Sequence, residues 1–166
     1  MTFTIRLRAT TILLVLSAGV SFAANAALPM KIESLSQFPR TTLAIRAGGR
    51  TLRFRVWVAN TMARKQQGLM FVRDLPAGLG MLFPTHHPQV AEFWMANTYI
   101  PLDILFVAPN MRIEKIVRNA VPFSTTLLSS GEPITAVIEL RGGAARRLGI
   151  RVGSPVQWAA WKPGKA

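Results

Sequence analysis

The chain has 166 residues, no cysteine, and a formal net charge of +13 from 20 Lys and Arg against seven Asp and Glu. The length allows one domain and is thin for two; the missing cysteine excludes disulfide staples and thiol chemistry, so stability must come from the core. The charge favours encounter with anionic surfaces such as lipid headgroups, lipopolysaccharide or acidic glycans, whereas nucleic acid is set aside because the basic residues are scattered without an aromatic-interleaved motif.

The first segment reads as an address, not as part of the fold. "MTFTIRLRAT" carries Arg6 and Arg8 and no acid, the apolar run "ILLVLSAGVSF" follows, and Ala24-Asn25-Ala26 supplies small residues at a cleavage site. That order marks a secretory signal over 1–26, cut after Ala26, and a periplasmic or secreted protein. Retention as a membrane anchor is the alternative, although the apolar stretch is short for a span of about 20 residues. Residues 27–40, with Pro29 and Pro39, read as a linker, 41–160 as a single domain, and 161–166 as a basic tail.

Within the domain, "TTLAIRA" meets "TLRFRVWVAN" across Gly48-Gly49. Leu52, Phe54, Val56 and Val58 alternate with Arg53, Arg55 and Trp57, which predicts a hairpin of half-buried strands. Asn60 or Thr61 can cap a short helix over 61–68, with Gly68 as its left-handed stop. A turn at Pro76 to Gly80 leads to a strand at Met81 to Phe83, "THHP" is expected as a loop, and "VAEFWM" as a strand. "DILFVAPNMRIEKIVR" predicts a second hairpin turning at Pro109-Asn110, followed by a long loop, a strand "ITAVIEL", a short helix in "RGGAARRLG", and a last strand after Gly153-Ser154-Pro155. Short strands with only two short helices suggest a mainly β fold, a sandwich or a partly open barrel.

Three blocks, "RKQQGLMFVRDLPAGLGMLF", "FWMANTYIPLDILFV" and "VIELRGGAARRLGIRVGSPV", resemble the DUF192 family of small exported or membrane-linked bacterial and archaeal proteins. The resemblance covers roughly residues 45–158 and implies a mostly antiparallel, jelly-roll-like sandwich with no established activity. Positions that match the family pattern are Arg64, Gly68, Met70, Arg73, Met81, Phe93, Trp94, Met95, Asn97, Thr98, Pro101 and Asp103; Ala96 stands where that pattern has a lysine.

The chemistry concentrates in "FWMANTYIPLDILF", where Asn97, Thr98 and Asp103 interrupt an apolar run. They either tie down a turn, as Asn, Thr and Asp do through side-chain bonds to backbone, or point into a site. The binding reading places Arg64, Arg73, Trp94, Met95, Asn97, Thr98 and Asp103 around a small cleft, with Asp103 paired to Arg64 or Arg73 at its rim. It makes the protein a binding module for an anionic envelope component or a small ligand. A hydrolase or transferase acting on envelope glycan or lipid through Asp103, with Glu92 or Glu139 as a second carboxyl, is the alternative; a protein-interaction module without a small-molecule site is another. No nucleophile elbow or metalloprotease motif appears. Met70, Met81 and Met95 with His86 or His87 would suit Cu(I), but methionines so placed usually fill a core, so no metal and no cofactor are expected.

Overall fold

The computed structural model describes residues 31–160. The expected signal segment and cleavage site, the expected basic tail and the first part of the expected linker lie outside the described residues. The first hairpin is as read from the alternation: β1 (Arg40–Ala47) pairs antiparallel with β2 (Arg50–Val58). Gly48 and Gly49 both have positive φ, 57° and 74°, the backbone that a tight two-residue hairpin turn demands and glycine adopts freely. Leu43, Ile45, Phe54 and Val56 are buried on one face, while Arg53 and Arg55 are exposed on the other.

β2 is not followed by another hairpin. The chain leaves through α1 (Met62–Gln67) and returns as β3 (Leu79–Gln89), which pairs with β2 in parallel, Val56 opposite Gly80 and Val58 opposite Leu82. Parallel neighbours cannot be joined by a tight turn, so a crossover carrying α1 must bridge them. Among the described residues it is the one parallel pair in a sheet that is otherwise antiparallel, in keeping with the mostly antiparallel fold expected. Thr61 caps α1, its hydroxyl accepting from the Arg64 N–H at 3.3 Å. Gly68 ends the helix at φ 50°, ψ −136°, a conformation that needs glycine but is not the left-handed helical one expected.

β3 runs through Thr85-His86-His87-Pro88, which was expected as a loop. Its ladder with the later strand β8 (Ile134–Arg141) is interrupted between Pro84 and Gln89, where two prolines remove ladder donors. β4 (Glu92–Phe93) and β7 (Leu128–Ser129) form a separate two-stranded sheet, so Trp94 and Met95 lie beyond the strand rather than in it. β5 (Leu102–Val107) and β6 (Ile113–Ala120) make the second expected hairpin. α2 (Ala144–Leu148), stopped by Gly149 at φ 72°, and β9 (Val156–Trp158) complete the fold.

The main sheet has the order β6-β5-β8-β3-β2-β1-β9. Among the described residues its two edges meet only around a bridge between Arg112 and Pro155, where the Val156 N–H donates to the Met111 carbonyl and the Ile113 N–H to the Ser154 carbonyl, and Ile113 from one edge shares a core with Val156 from the other. These few bonds are not a strand ladder: the sheet curls, sandwich-like, without closing into a barrel. Because side chains alternate along each strand, the sheet feeds two cores. Leu82, Leu105 and Ile138 enter the first with α2. Their neighbours Met81, Phe83, Ile104, Phe106 and Val137 enter the second. Leu69 and Leu75 from the crossover cover that second core, as does Phe38, which is 1% exposed although it falls in the expected linker.

Candidate functional site

The polar residues of the 93–106 stretch have different tasks. Met95 to Thr98 is a turn closed by the Thr98 N–H donating to the Met95 carbonyl at 3.0 Å. Its third residue, Asn97, has φ 55°, a conformation Asn tolerates better than most residues. The Asn97 carbonyl accepts from the Phe71 N–H at 2.9 Å, and the Thr98 carbonyl accepts from the Phe123 N–H at 3.2 Å. Asn97 and Thr98 therefore knit three chain segments together, and the Thr98 hydroxyl donates back to the Ala96 carbonyl. Met95 is 1% exposed in the second core.

Asp103 is fully buried and faces the other side of the sheet. Its Oδ1 accepts from the Asn119 N–H at 2.8 Å and the Gly143 N–H at 3.0 Å, and its Oδ2 accepts from the Ala145 N–H at 2.7 Å. Gly143, at the N-cap of α2, has no side chain to cap with, so a carboxyl from a distant strand serves the helix's orphan donors instead. The anchoring reading of Asp103 holds, but its partners are α2 and β6 rather than the Thr98–Pro101 turn. The expected pairing of Asp103 with Arg64 or Arg73 is not formed. A catalytic pair of Asp103 with Glu139 is also overturned: Asp103 pairs in register with Leu140, and adjacent strand residues point to opposite faces.

Arg64 instead holds the N-terminal segment against α1. Its Nε donates to Glu33 Oε2 at 3.0 Å, Nη1 to Asn60 Oδ1 at 2.9 Å and Nη2 to the Gln37 carbonyl at 3.2 Å, and its guanidinium lies 5.1 Å above the Phe38 ring. The Arg64 hydrogen bond holds the Glu33 carboxyl below its ordinary pKa. Arg64→Ala should cost about 1–2 kcal/mol, as a partly exposed charge-assisted network does. Hydrogen exchange is expected to speed up first at the Glu33 amide, which donates to Gln67 Oε1 at 2.7 Å. Arg73 is exposed and sits 4.7 Å over the Tyr99 ring.

A cleft of about 850 Å³ opens between α1 with its following turn and the 89–98 segment, within the roughly 300–1,000 Å³ usual for small-molecule sites. Of the residues expected at the site, Trp94, Asn97 and Thr98 line it. Leu69, Phe83, Phe93, Ile134 and Val137 supply apolar wall, with Phe83 and Phe93 packed edge to face at 5.1 Å. Trp94 and Leu127 are 51% and 55% exposed at its rim. Lys65 on α1 and Glu92 on β4 are its other charged lining groups.

The cleft also holds a group that sequence reasoning weighed only as a partner for Asp103. Glu139 lies opposite Met81 and Ile104 in the sheet and is 5% exposed. Among the described residues no cation lies within ion-pairing distance of it, and its Oε2 has no hydrogen-bond partner. Burial pushes its pKa from the ordinary 4.5 up to about 8, because desolvation penalises the charged form. At neutral pH the group is a carboxylic acid. A Cβ on Gly68 would come within 3.4 Å of the Phe83 ring and 4.0 Å of Glu139 Oε2, so the residue that ends α1 also leaves the approach to the carboxyl bare. The sequence signal was present: one acid inside the apolar run Ile134 to Leu140.

Met81 and Met95 are core residues, 0% and 1% exposed, whereas Met70 is half-buried and lines the cleft, and His86 and His87 are exposed. Among the described residues there is no group of three or more His, Asp or Glu placed to hold a metal, and no helix is long and apolar enough to cross a membrane.

Fold and site together define a small, curled β-sheet protein with a ligand-sized, mostly apolar cleft floored by a buried acid. The chain belongs to the DUF192 family, described as "Uncharacterized ACR", whose model matches residues 43–158. No curated protein matches it. Among solved structures it is similar to a protein of unknown function from Novosphingobium aromaticivorans, 36% identical with a TM-score of 0.70, covering 77% of this chain and 99% of that one. It is also similar to a protein from Sinorhizobium meliloti named as a proposed transcription regulator, 35% identical with a TM-score of 0.71, covering 74% of this chain and 95% of that one.

Proposed function

We propose that this chain is an exported binding module that takes a small ligand in the cleft between α1 and the 89–98 segment. The observation that carries this reading is Glu139: a buried, unpartnered carboxyl at the floor of an apolar, aromatic-walled cleft. Buried polar groups in folded proteins normally have partners, and a large apolar pocket with a few convergent polar groups is the usual form of a small-molecule site. Trp94, Asn97 and Thr98 keep their place in the site, while Arg64, Arg73, Met95 and Asp103 lie outside the cleft lining. The excess of positive charge acts separately, favouring encounter with anionic envelope components.

Native mass spectrometry of the mature protein, purified from its own envelope fraction, tests this. The expected result is a retained small mass that Trp94→Ala, a change at an exposed rim position, loses or weakens without altering the thermal midpoint of the ligand-free chain. A bare polypeptide mass, with no rise in Tm on adding back a small-molecule extract of the envelope, would overturn the reading.

A further inference from the structure

Asp103 is accounted for by α2, Arg64 by Glu33, and the Asn97 backbone by its turn. Among the described residues two buried side-chain polar atoms are left without a partner, Trp57 Nε1 and Glu139 Oε2, and of the two only Glu139 lines the cleft. A carboxylic acid carries one O–H donor and keeps acceptor capacity, and the Oε2 of this one has no hydrogen-bond partner among the described residues. The nearby polar side chains have other commitments. Gln67 exchanges two bonds with the Glu33 backbone, Thr85 donates to the Thr135 carbonyl at 3.0 Å, and Thr98 donates to the Ala96 carbonyl. The other charged groups that line the cleft are Lys65 from α1, which is not ion-paired with Glu139, and Glu92 from β4, itself an acid. From its own sheet, the flanking strands present Met81 and Ile104 to it, both uncharged.

We infer, resting on the small-ligand reading above, that the cleft selects ligands with an apolar body ending in a hydrogen-bond acceptor, a carbonyl or carboxyl oxygen, which accepts a hydrogen bond from the Glu139 carboxyl O–H. Two features of the site favour an acceptor over an organic cation. The desolvated carboxyl is held neutral, so it offers a donor without the cost of burying a new charge. The protein's strong positive field also opposes the approach of cations and favours ligands whose head is electron-rich.

The test uses three probes of similar size: benzylacetone, which ends in a ketone; butylbenzene, which has no polar group; and phenylbutylamine, which ends in a cation. Binding is followed by amide NMR shifts on either side of about pH 8, where Glu139 titrates. Below that pH benzylacetone should bind roughly five- to tenfold more tightly than butylbenzene, the worth of about one hydrogen bond in a dry site. Above it that advantage should fade. Glu139→Gln, which keeps an N–H donor, should retain part of the preference and lose its pH dependence. Glu139→Leu should bind ketone and hydrocarbon equally. Equal binding of ketone and hydrocarbon by the wild-type chain would overturn the inference while leaving the cleft a binding site. So would preference for the amine that grows with pH, since Glu139 would then be a counter-anion. Failure of all three probes to shift cleft amides would overturn both this inference and the binding reading.

Discussion

Asp103→Ala is expected to destabilise the domain by about 3–5 kcal/mol, because it strands three backbone donors, two of them at the start of α2, in a place water cannot easily reach. The Asn119, Gly143 and Ala145 N–H groups would lose acceptors at 2.8, 3.0 and 2.7 Å. A loss of that size should lower Tm by roughly 10–15 °C in a domain of this length. The damage should be directional. Amide exchange should accelerate first in α2, whose Ala144 and Ala145 pack in the first core, and only later in the β1–β2 hairpin. Asp103→Asn keeps one acceptor oxygen but turns an NH₂ group toward at least one backbone donor, so it should fall between wild type and alanine. Chemical unfolding of the three proteins gives the order. In the fraction that remains folded, binding in the cleft should be unchanged, since Asp103 lies on the opposite face of the sheet. A stable Asp103→Ala protein that had lost its ligand would reverse these assignments and return Asp103 to the site.

Asp103 also shows where sequence reasoning stops. Its burial and anchoring were legible, because a lone acid between Leu102 and Ile104 must find donors. Its partners were not, because α2 is 40 residues away and nothing local says that Gly143 leaves its helix uncapped. The β1–β2 hairpin was legible for the opposite reason: alternation and the Gly-Gly turn are local signals, and the pairing they predict joins adjacent segments. The parallel β2–β3 pairing was missed because the helix pattern of α1 reads the same whether it connects an antiparallel or a parallel neighbour. The cleft was half legible. Trp94 and Asn97 stood out as a polar and aromatic cluster, but their opposing wall comes from the α1 crossover, whose placement depends on that missed pairing. Glu139 was visible as an acid within an apolar run. That it faces the cleft, while Asp103 faces α2, follows only from the register that sets it against Met81 and Ile104.

Glu139 should make the wild-type protein lose stability as pH rises, the reverse of the usual behaviour of a paired carboxylate. Its folded pKa of about 8 lies above the ordinary 4.5 of the unfolded chain. Between those values the folded state holds a proton that the unfolded state has released, so each unit of rising pH should remove about 1.4 kcal/mol, several kcal/mol across the window. Below the window both states are protonated, and above it both are ionised, so the slope ends at either side. Glu139→Gln is neutral throughout and nearly isosteric; it should match wild type near the acid end and exceed it at neutral and mildly alkaline pH. Comparing the two by denaturant titration at each pH isolates this group, because Glu33, whose lowered pKa works in the opposite direction, is common to both. A cation that paired with Glu139 in the folded state would reverse the sign, and Gln would then be the less stable variant at neutral pH. The expected sign carries a functional meaning. An acid that lowers the stability of its own fold at neutral pH, where an amide or an aliphatic side chain would pack without that penalty, is the kind of local inconsistency that folded proteins tolerate chiefly at their working sites.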